Sequence, residues 1–280
     1  MNNFEKDLTM LRQAAKAILP AAAWKYLRSK KINYQVKYFQ HEIFEGNFGG
    51  HNLKLSLEDP MARLWYKKHW PRLKEIEVLS KSKLIEGAKV LDLGAHQSVV
   101  AMMLALEVGP AGRVLAIEAN KHNYQVGLKN KQLNGIRNLE IVHCAVGSSN
   151  GPIEFSEDFN GAISSVKTTT RNVLVDAFTI DHFVKEYFVP DVIFMDVEGF
   201  EVEALKSASL AFSSNADWFI EVHGPELIGN YGGTVKDVTD HFTNGSFEIL
   251  IADESLEFHE YSNSSHLLKD RFFLIALNKK

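Results

Sequence analysis

The residues that could do chemistry cluster in the middle of the chain. Val90-Leu91-Asp92-Leu93-Gly94-Ala95-His96 reads as a short apolar strand ending in a bend. Gly94 lets the backbone turn tightly and approach a ligand with no side chain in the way. Asp92 sets a carboxylate beside that bend, which repels a pyrophosphate and attracts an ammonium or sulfonium group. A second strand ends at Glu118. Its interval from Gly94 is the one at which an acidic residue takes ribose hydroxyls in nucleoside-binding folds. A carboxylate can accept from both the 2′ and the 3′ hydroxyl, and Asn120 is placed to assist. A third strand leads to Cys144 and Ala145, suited to border an adenine ring. Asp196, Glu198, Glu221 and His223 stand at the ends of two further apolar runs.

Such residues need a scaffold that brings strand ends together. In an open parallel sheet, ligands bind beyond the carboxyl ends of the strands where strand order reverses. From residue 88 onward the pattern predicts that sheet. Apolar strands over 89–93, 113–118, 139–142, 192–196 and 218–222 alternate with helices over 99–108, 122–133 and 201–208. Continuous apolar strands separated by helices indicate a parallel sheet covered on both faces. Thr234 and Asp237 stand in a capping-box relation that opens another helix. Late strands over 247–251 and 272–277 predict one antiparallel strand at the end of the sheet. Between the third and fourth strands, 152–155 and 173–175 read as small strands, and Thr179-Ile180-Asp181 opens a helix. This insertion falls where the sheet faces its ligand and is expected to wall the substrate.

Before residue 88 the pattern differs. Residues 41–59 read as short strands around Gly49-Gly50. Residues 60–86 read as helix, with Trp65, Tyr66, Trp70, Leu73, Ile76 and Leu79 as its core face. Residues 4–31 read as a basic helix interrupted at Pro20. It either packs on its own domain with solvated lysines or makes peripheral contact with an anionic membrane surface. Two parts are therefore expected: a mainly helical, substrate-side segment over 1–87 and a catalytic domain over 88–280. Residues 1–89 hold 17 Lys and Arg against 9 Asp and Glu, whereas residues 90–280 hold 14 against 26.

The composition narrows the class further. Of 280 residues, 45% are hydrophobic and 24% charged, at a net charge of −4, so the chain can build a core and is not a disordered protein. One cysteine excludes a disulfide framework and a cysteine-based zinc site. No apolar run approaches the ~20 residues that span a bilayer. No basic leader with an apolar stretch opens the sequence, so a cytoplasmic protein is expected.

Several of these runs resemble one family. They are Val90-Leu91-Asp92-Leu93-Gly94-Ala95, Ile117-Glu118-Ala119-Asn120, Ala145-Val146-Gly147 with Gly151, Asp196-Val197-Glu198-Gly199-Phe200-Glu201 before Leu205-Lys206, and Glu221-Val222-His223. Over roughly residues 85–225 the chain is similar to the FkbM family of S-adenosylmethionine-dependent methyltransferases. The resemblance implies a class I methyltransferase fold: a doubly wound, mostly parallel, Rossmann-like seven-stranded sheet with an antiparallel last strand. It also implies S-adenosyl-L-methionine as cofactor and O-methylation of a hydroxyl on a sugar, glycan or polyketide-like acceptor. The cofactor residues it implies are Asp92, Gly94, His96, Glu118, Asn120, Cys144, Ala145 and Asp196. Two positions in the bend depart from the family pattern: His96 stands for Asn, and Ser98 for a second Gly.

An alcohol is a weak nucleophile whose proton must leave as the new bond forms. Asp196, Glu198, Glu221 and His223 are the candidates to help. His223 or Glu198 is expected as the base and Asp196 as an orienting group. The same four could hold a divalent ion, but spacing fixes no geometry and no metal is assigned. Glu201 and Glu203 read as a solvated helix face. A competing expectation is a cofactor-binding module without turnover, because of His96 and Ser98. A nicotinamide enzyme lacks its glycine loop here. Nucleic acid is not expected as a partner of an acidic body, and the sequence leaves the oligomeric state open.

Overall fold

The computed structural model describes residues 34, 38–156, 172–243, 245–261 and 270–280. The helix expected over 4–31, and with it the membrane contact, lies outside the described residues. A hairpin comes first: β1 (Glu42–Phe48) and β2 (His51–Leu57) pair antiparallel around Gly49 and Gly50, both at positive φ. Glycine pairs at such a two-residue turn match the twist of the strands. Leu53, Leu55 and Leu57 point into the core.

The helix expected over 60–86 is two short ones, α1 (Pro60–Tyr66) and α2 (Lys74–Leu79). Pro71 disfavours helical backbone at the preceding residue. Trp70 bridges to the hairpin instead: its N–H donates to the Asn47 carbonyl at 2.8 Å, and its carbonyl accepts from Gly49 at 3.1 Å.

The main sheet follows: β3 (Lys89–Leu93), α3 (Val99–Glu107), β4 (Arg113–Glu118), α4 (Lys121–Leu133), β5 (Leu139–His143). The insertion adds a small sheet of β6 (Ala145–Val146), β7 (Gly151–Ser156) and β8 (Asn172–Phe178), then α5 (Ile180–Glu186). After these come β9 (Val192–Met195), α6 (Glu201–Leu205), α7 (Ser209–Ser213), β10 (Asp217–Val222), α8 (Pro225–Gly229) and α9 (Val235–Thr239). The chain closes with β11 (Phe247–Ala252), β12 (His259–Glu260) and β13 (Phe272–Asn278). Thr234 and Asp237 form the expected capping box at α9.

Strand order is β12-β11-β13-β10-β9-β3-β4-β5. Strands β10, β9, β3, β4 and β5 run parallel, and β13 is antiparallel to both neighbours. This is the α/β, doubly wound, Rossmann-like sheet that the resemblance implies. It counts eight strands instead of seven because the two-residue β12 extends one edge. The antiparallel last strand, β13, lies inside the sheet, and the two-residue β12 at the margin also pairs antiparallel with its neighbour. The chain leaves β3 toward β4 and β5 in one direction and returns to β9 and β10 in the other, so order reverses between β3 and β9.

Residues of the hairpin, α1 and α2 share one hydrophobic core with β3, α3 and one face of the sheet. An asparagine of α4 and its C-cap complete the ladder of β2: Asn130 Oδ1 accepts from Ser56 N at 2.8 Å, and Asn134 exchanges two bonds with Lys54. The N-terminal segment is thus fixed against the helix that follows Glu118. Among the described residues, no helix is long and apolar enough to cross a membrane.

Candidate active site

A cavity of about 320 Å³ opens at the reversal point, beyond the carboxyl ends of β3, β4, β9 and β10. At one end is the bend after β3. Gly94 has φ 90°, and a Cβ there would lie 1.8 Å from the Asp196 carbonyl oxygen, so only glycine fits. The N–H groups of Gly94 and Ala95 both donate to the Ile117 carbonyl at 2.9 Å. His96 and Ser98 continue the bend at φ 48° and 60°, in the left-handed region that Asn and Gly tolerate best. That explains the family preference at these two positions and shows that His and Ser keep the conformation. Buried neighbours hold them. Tyr66 Oη lies 2.7 Å from His96 Nδ1, and Gln97 Nε2 donates to Asp59 Oδ2 at 2.6 Å.

Glu118 lines the cavity at the end of β4. Its carboxylate accepts from the backbone N–H groups of Asn120, at 2.6 Å, and His96. Burial outweighs these bonds and pushes it up to about 8. Burial likewise raises Asp92 to about 7, and its Oδ2 has no hydrogen-bond partner among the described residues. Cys144 and Ala145 border the same space, and burial pushes the Cys144 thiol up to about 12. Asn120 is used differently from the expectation. Its side chain caps α4 by accepting from His122 and Asn123, and it does not line the cavity. The N-cap preference of Asn before a helical run carried that signal in the sequence.

Beside the bend, His223, buried and itself outside the cavity lining, gathers the carboxylates. Its Nε2 lies 3.3 Å from Glu198 Oε2, 3.7 Å from Glu221 Oε1 and 3.8 Å from Asp196 Oδ1. On its other side, Nδ1 donates to Glu201 Oε1 at 2.7 Å. Glu201 is wholly buried, which corrects its assignment to a solvated helix face. Glu203, by contrast, pairs with Lys206 near the surface. Periodicity gave no hint of the Glu201 role, because its partner comes from a strand end 22 residues away. Arg271, ahead of β13, anchors Glu221 at 2.7 Å and was also missed.

Burial opposes the charge on His223, but bonds to Glu198 and Glu201 prevail and hold the imidazole protonated, up to about 11. A protonated imidazole cannot take a proton, so these surroundings work against His223 as the base. Burial and Glu221 push Asp196 well above the usual carboxylate range, and burial raises Glu221. One ligand atom each from Asp196, Glu221 and His223 lie within 4.8 Å of one another, a spacing a divalent ion could use.

The donor set also tests the expected cofactor. Glu75, Asp92, Glu118, Asp196, Glu198 and Glu221 line the cavity, and no Lys or Arg does so among the described residues. Such a lining suits a cation and repels a diphosphate. Gly94 and the unpaired Asp92 oxygen leave room and an acceptor at the bend, so the residues fit S-adenosylmethionine.

Residues 92–248, more than half of the chain, match the Methyltransferase FkbM domain. The chain belongs to the FkbM methyltransferase family. The cofactor of this FkbM methyltransferase is S-adenosylmethionine. Among curated proteins it is similar to two named probable cobalt-precorrin-6B C(15)-methyltransferase (decarboxylating). The one from Sulfolobus acidocaldarius is 39% identical and the one from Sulfurisphaera tokodaii 37%, each over 70 residues, 24% of this chain and 36% of the relative. The match thus spans about a third of the length of those relatives. Among solved structures, an S-adenosylmethionine-dependent O-methyltransferase from Thermotoga maritima is 11% identical, with 85% of this chain and 78% of that one covered at a TM-score of 0.46. Fibrillarin from Aeropyrum pernix, in complex with S-adenosyl-L-methionine, is 13% identical, with 85% and 83% covered at 0.45.

Proposed function

We propose that this FkbM methyltransferase moves a methyl group from S-adenosylmethionine to a hydroxyl oxygen of a small acceptor, a sugar, glycan or polyketide-like molecule. The observation that carries this reading is the convergence of Asp196, Glu198 and Glu221 on His223 Nε2 in the cavity that Asp92, Gly94 and Glu118 also line. A hydroxyl must give up its proton as the new bond forms, and these carboxylates offer places for it. Nucleic acid is disfavoured by the same acidic lining.

Bound at the bend and Glu118, the cofactor supplies an activated methyl carbon on a good leaving group. The chain must then place the hydroxyl in line and relieve it of its proton. Asp196 and Glu221 accept from the hydroxyl and orient it. Glu198 Oε2 takes the proton. His223, clamped by Glu201, holds Glu198 in place and offsets the crowded negative charge. Residues 38–86 close the acceptor side with Trp65 and Trp70. The alternative, a module that binds without turnover, rested on His96 and Ser98. Both keep the backbone of the bend, which supports turnover.

Calorimetry with S-adenosylmethionine tests the first half. Micromolar binding is expected, weakened about tenfold or more in Glu118→Ala. A mass-shift screen of phenols, glycans and polyketide extracts tests the second. Methylation only at carbon would overturn the hydroxyl assignment.

A further inference from the structure

Part of the cavity has aromatic walls. Trp65 and Trp70 line it from the N-terminal segment, and Phe194, Phe219 and Phe273 line it from one face of the sheet. Phe194 and Phe219 have ring centroids 5.0 Å apart, and Phe219 stacks on Phe273 with an interplanar angle of 11°. Into this lining α2 inserts a carboxyl group, Glu75, which is 8% exposed. The carboxyl accepts from its own backbone N–H, and Oε2 has no hydrogen-bond partner among the described residues. Glu221 is near enough for its charge to act on Glu75, so the second carboxyl belongs to the same space as the reacting groups. An unmade buried acceptor is costly, and an apolar side chain would fill the place without that cost. The group is explained if a ligand completes it.

We infer that this pocket takes the acceptor as a flat apolar ring, and that Glu75 selects it by accepting a hydrogen bond from a ring donor other than the reacting hydroxyl. This rests on the hydroxyl-methylating function proposed above. Aromatic walls attract ring faces, and a pocket that is mostly apolar with few polar points fixes orientation through those points. A sugar would leave most of its rim hydroxyls unmade against Phe194, Phe219 and Phe273. A phenolic, polyketide-like ring with two donors meets both the cluster at His223 and Glu75.

The probes are 2,7-dihydroxynaphthalene, 2-methoxynaphthalene as a ring without donors, and methyl α-glucopyranoside. Binding to the full chain is measured by calorimetry without the methyl donor, and S-adenosylmethionine binding is measured separately on each variant. The diphenol is expected to bind at least tenfold more tightly than the methoxy ring, and the glucoside not at all. Glu75→Leu should cost the diphenol tenfold or more, and Glu75→Gln less because its amide oxygen still accepts. Equal affinity for diphenol and methoxy ring, preference for the glucoside, or an unaffected folded Glu75→Leu each overturns the assignment. The wild-type comparison decides it even where a variant fails to fold. Failure to bind S-adenosylmethionine would instead strike the proposed function and leave the pocket result standing.

Discussion

His223 Nδ1 donates to Glu201 Oε1 across 2.7 Å in a place closed to water. One nitrogen of the ring is thereby committed to the helix α6, and the other faces the carboxylates of the cavity. The ring cannot turn without breaking a buried charged bond. On the proposed mechanism, Glu201 is a positioning residue that acts on the reacting atoms only through the imidazole.

Glu201→Gln keeps an acceptor near Nδ1 but removes the charge. The imidazole pKa should fall, read by NMR titration of His223. The turnover number with an identified acceptor should drop roughly 10- to 100-fold, and S-adenosylmethionine affinity should stay unchanged. A purely structural role would move stability and leave the titration where it was.

Stability of the ligand-free protein should fall as pH rises. Burial raises Asp92 and Glu75 to about 7 and Glu118 to about 8. Each binds its proton more tightly folded than unfolded. The stability they contribute is complete below the unfolded values near pH 4 and is lost as pH climbs through 7 to 8. His223 acts in the same direction over a higher window, from about 6.5 to about 11. Each pH unit is worth up to ~1.4 kcal/mol per group. Denaturant unfolding at pH 5, 6.5 and 8 checks this, and Glu118→Gln should flatten the slope.

Most of the scaffold was legible from residue 88 onward. Continuous apolar runs marked the strands, and β4 matches its expected bounds of 113–118. Thr234 with Asp237 announced α9. The break at 67–73 was not legible from spacing, because Trp65, Tyr66, Trp70 and Leu73 keep a helical rhythm across Pro71. The hairpin, which takes the Trp70 backbone into a strand-like bridge, acts with Pro71 to end the helix. The site was half legible. Acidic residues at strand ends could be picked out, whereas Glu201 and Arg271 depend on partners brought by strands distant in sequence. Asn120 looked like a ligand group and is a helix cap.

Ser98 carries a side chain at φ 60°, and its buried Oγ has no hydrogen-bond partner among the described residues. Ser98→Gly removes both penalties at a position glycine adopts freely. The protein should gain about 1 kcal/mol, a rise in melting temperature of roughly 2–4 °C for a chain of this size.

Asp59 joins the N-terminal segment to the bend. Its Oδ1 caps α1 by accepting from Ala62 N at 2.8 Å, and its Oδ2 accepts from Gln97 Nε2 at 2.6 Å and His122 Nε2 at 2.9 Å. Asp59→Ala removes a cap and the shorter of the two bonds that Gln97 Nε2 donates, the other going to Asn123 Oδ1 at 3.3 Å, a loss of about 2–4 kcal/mol. Denaturant unfolding should show that loss, and calorimetry should show weaker S-adenosylmethionine binding as residues 96–98 slacken.

The placement of β13 has a consequence for biosynthesis. Its slot lies between β10 and β11, both earlier in the chain, so a chain without β13 has two strand edges facing an empty gap. Such edges invite pairing with other chains. The Phe273 wall and the Arg271 anchor of Glu221 arrive together with β13, so the cavity is complete only when that gap is filled.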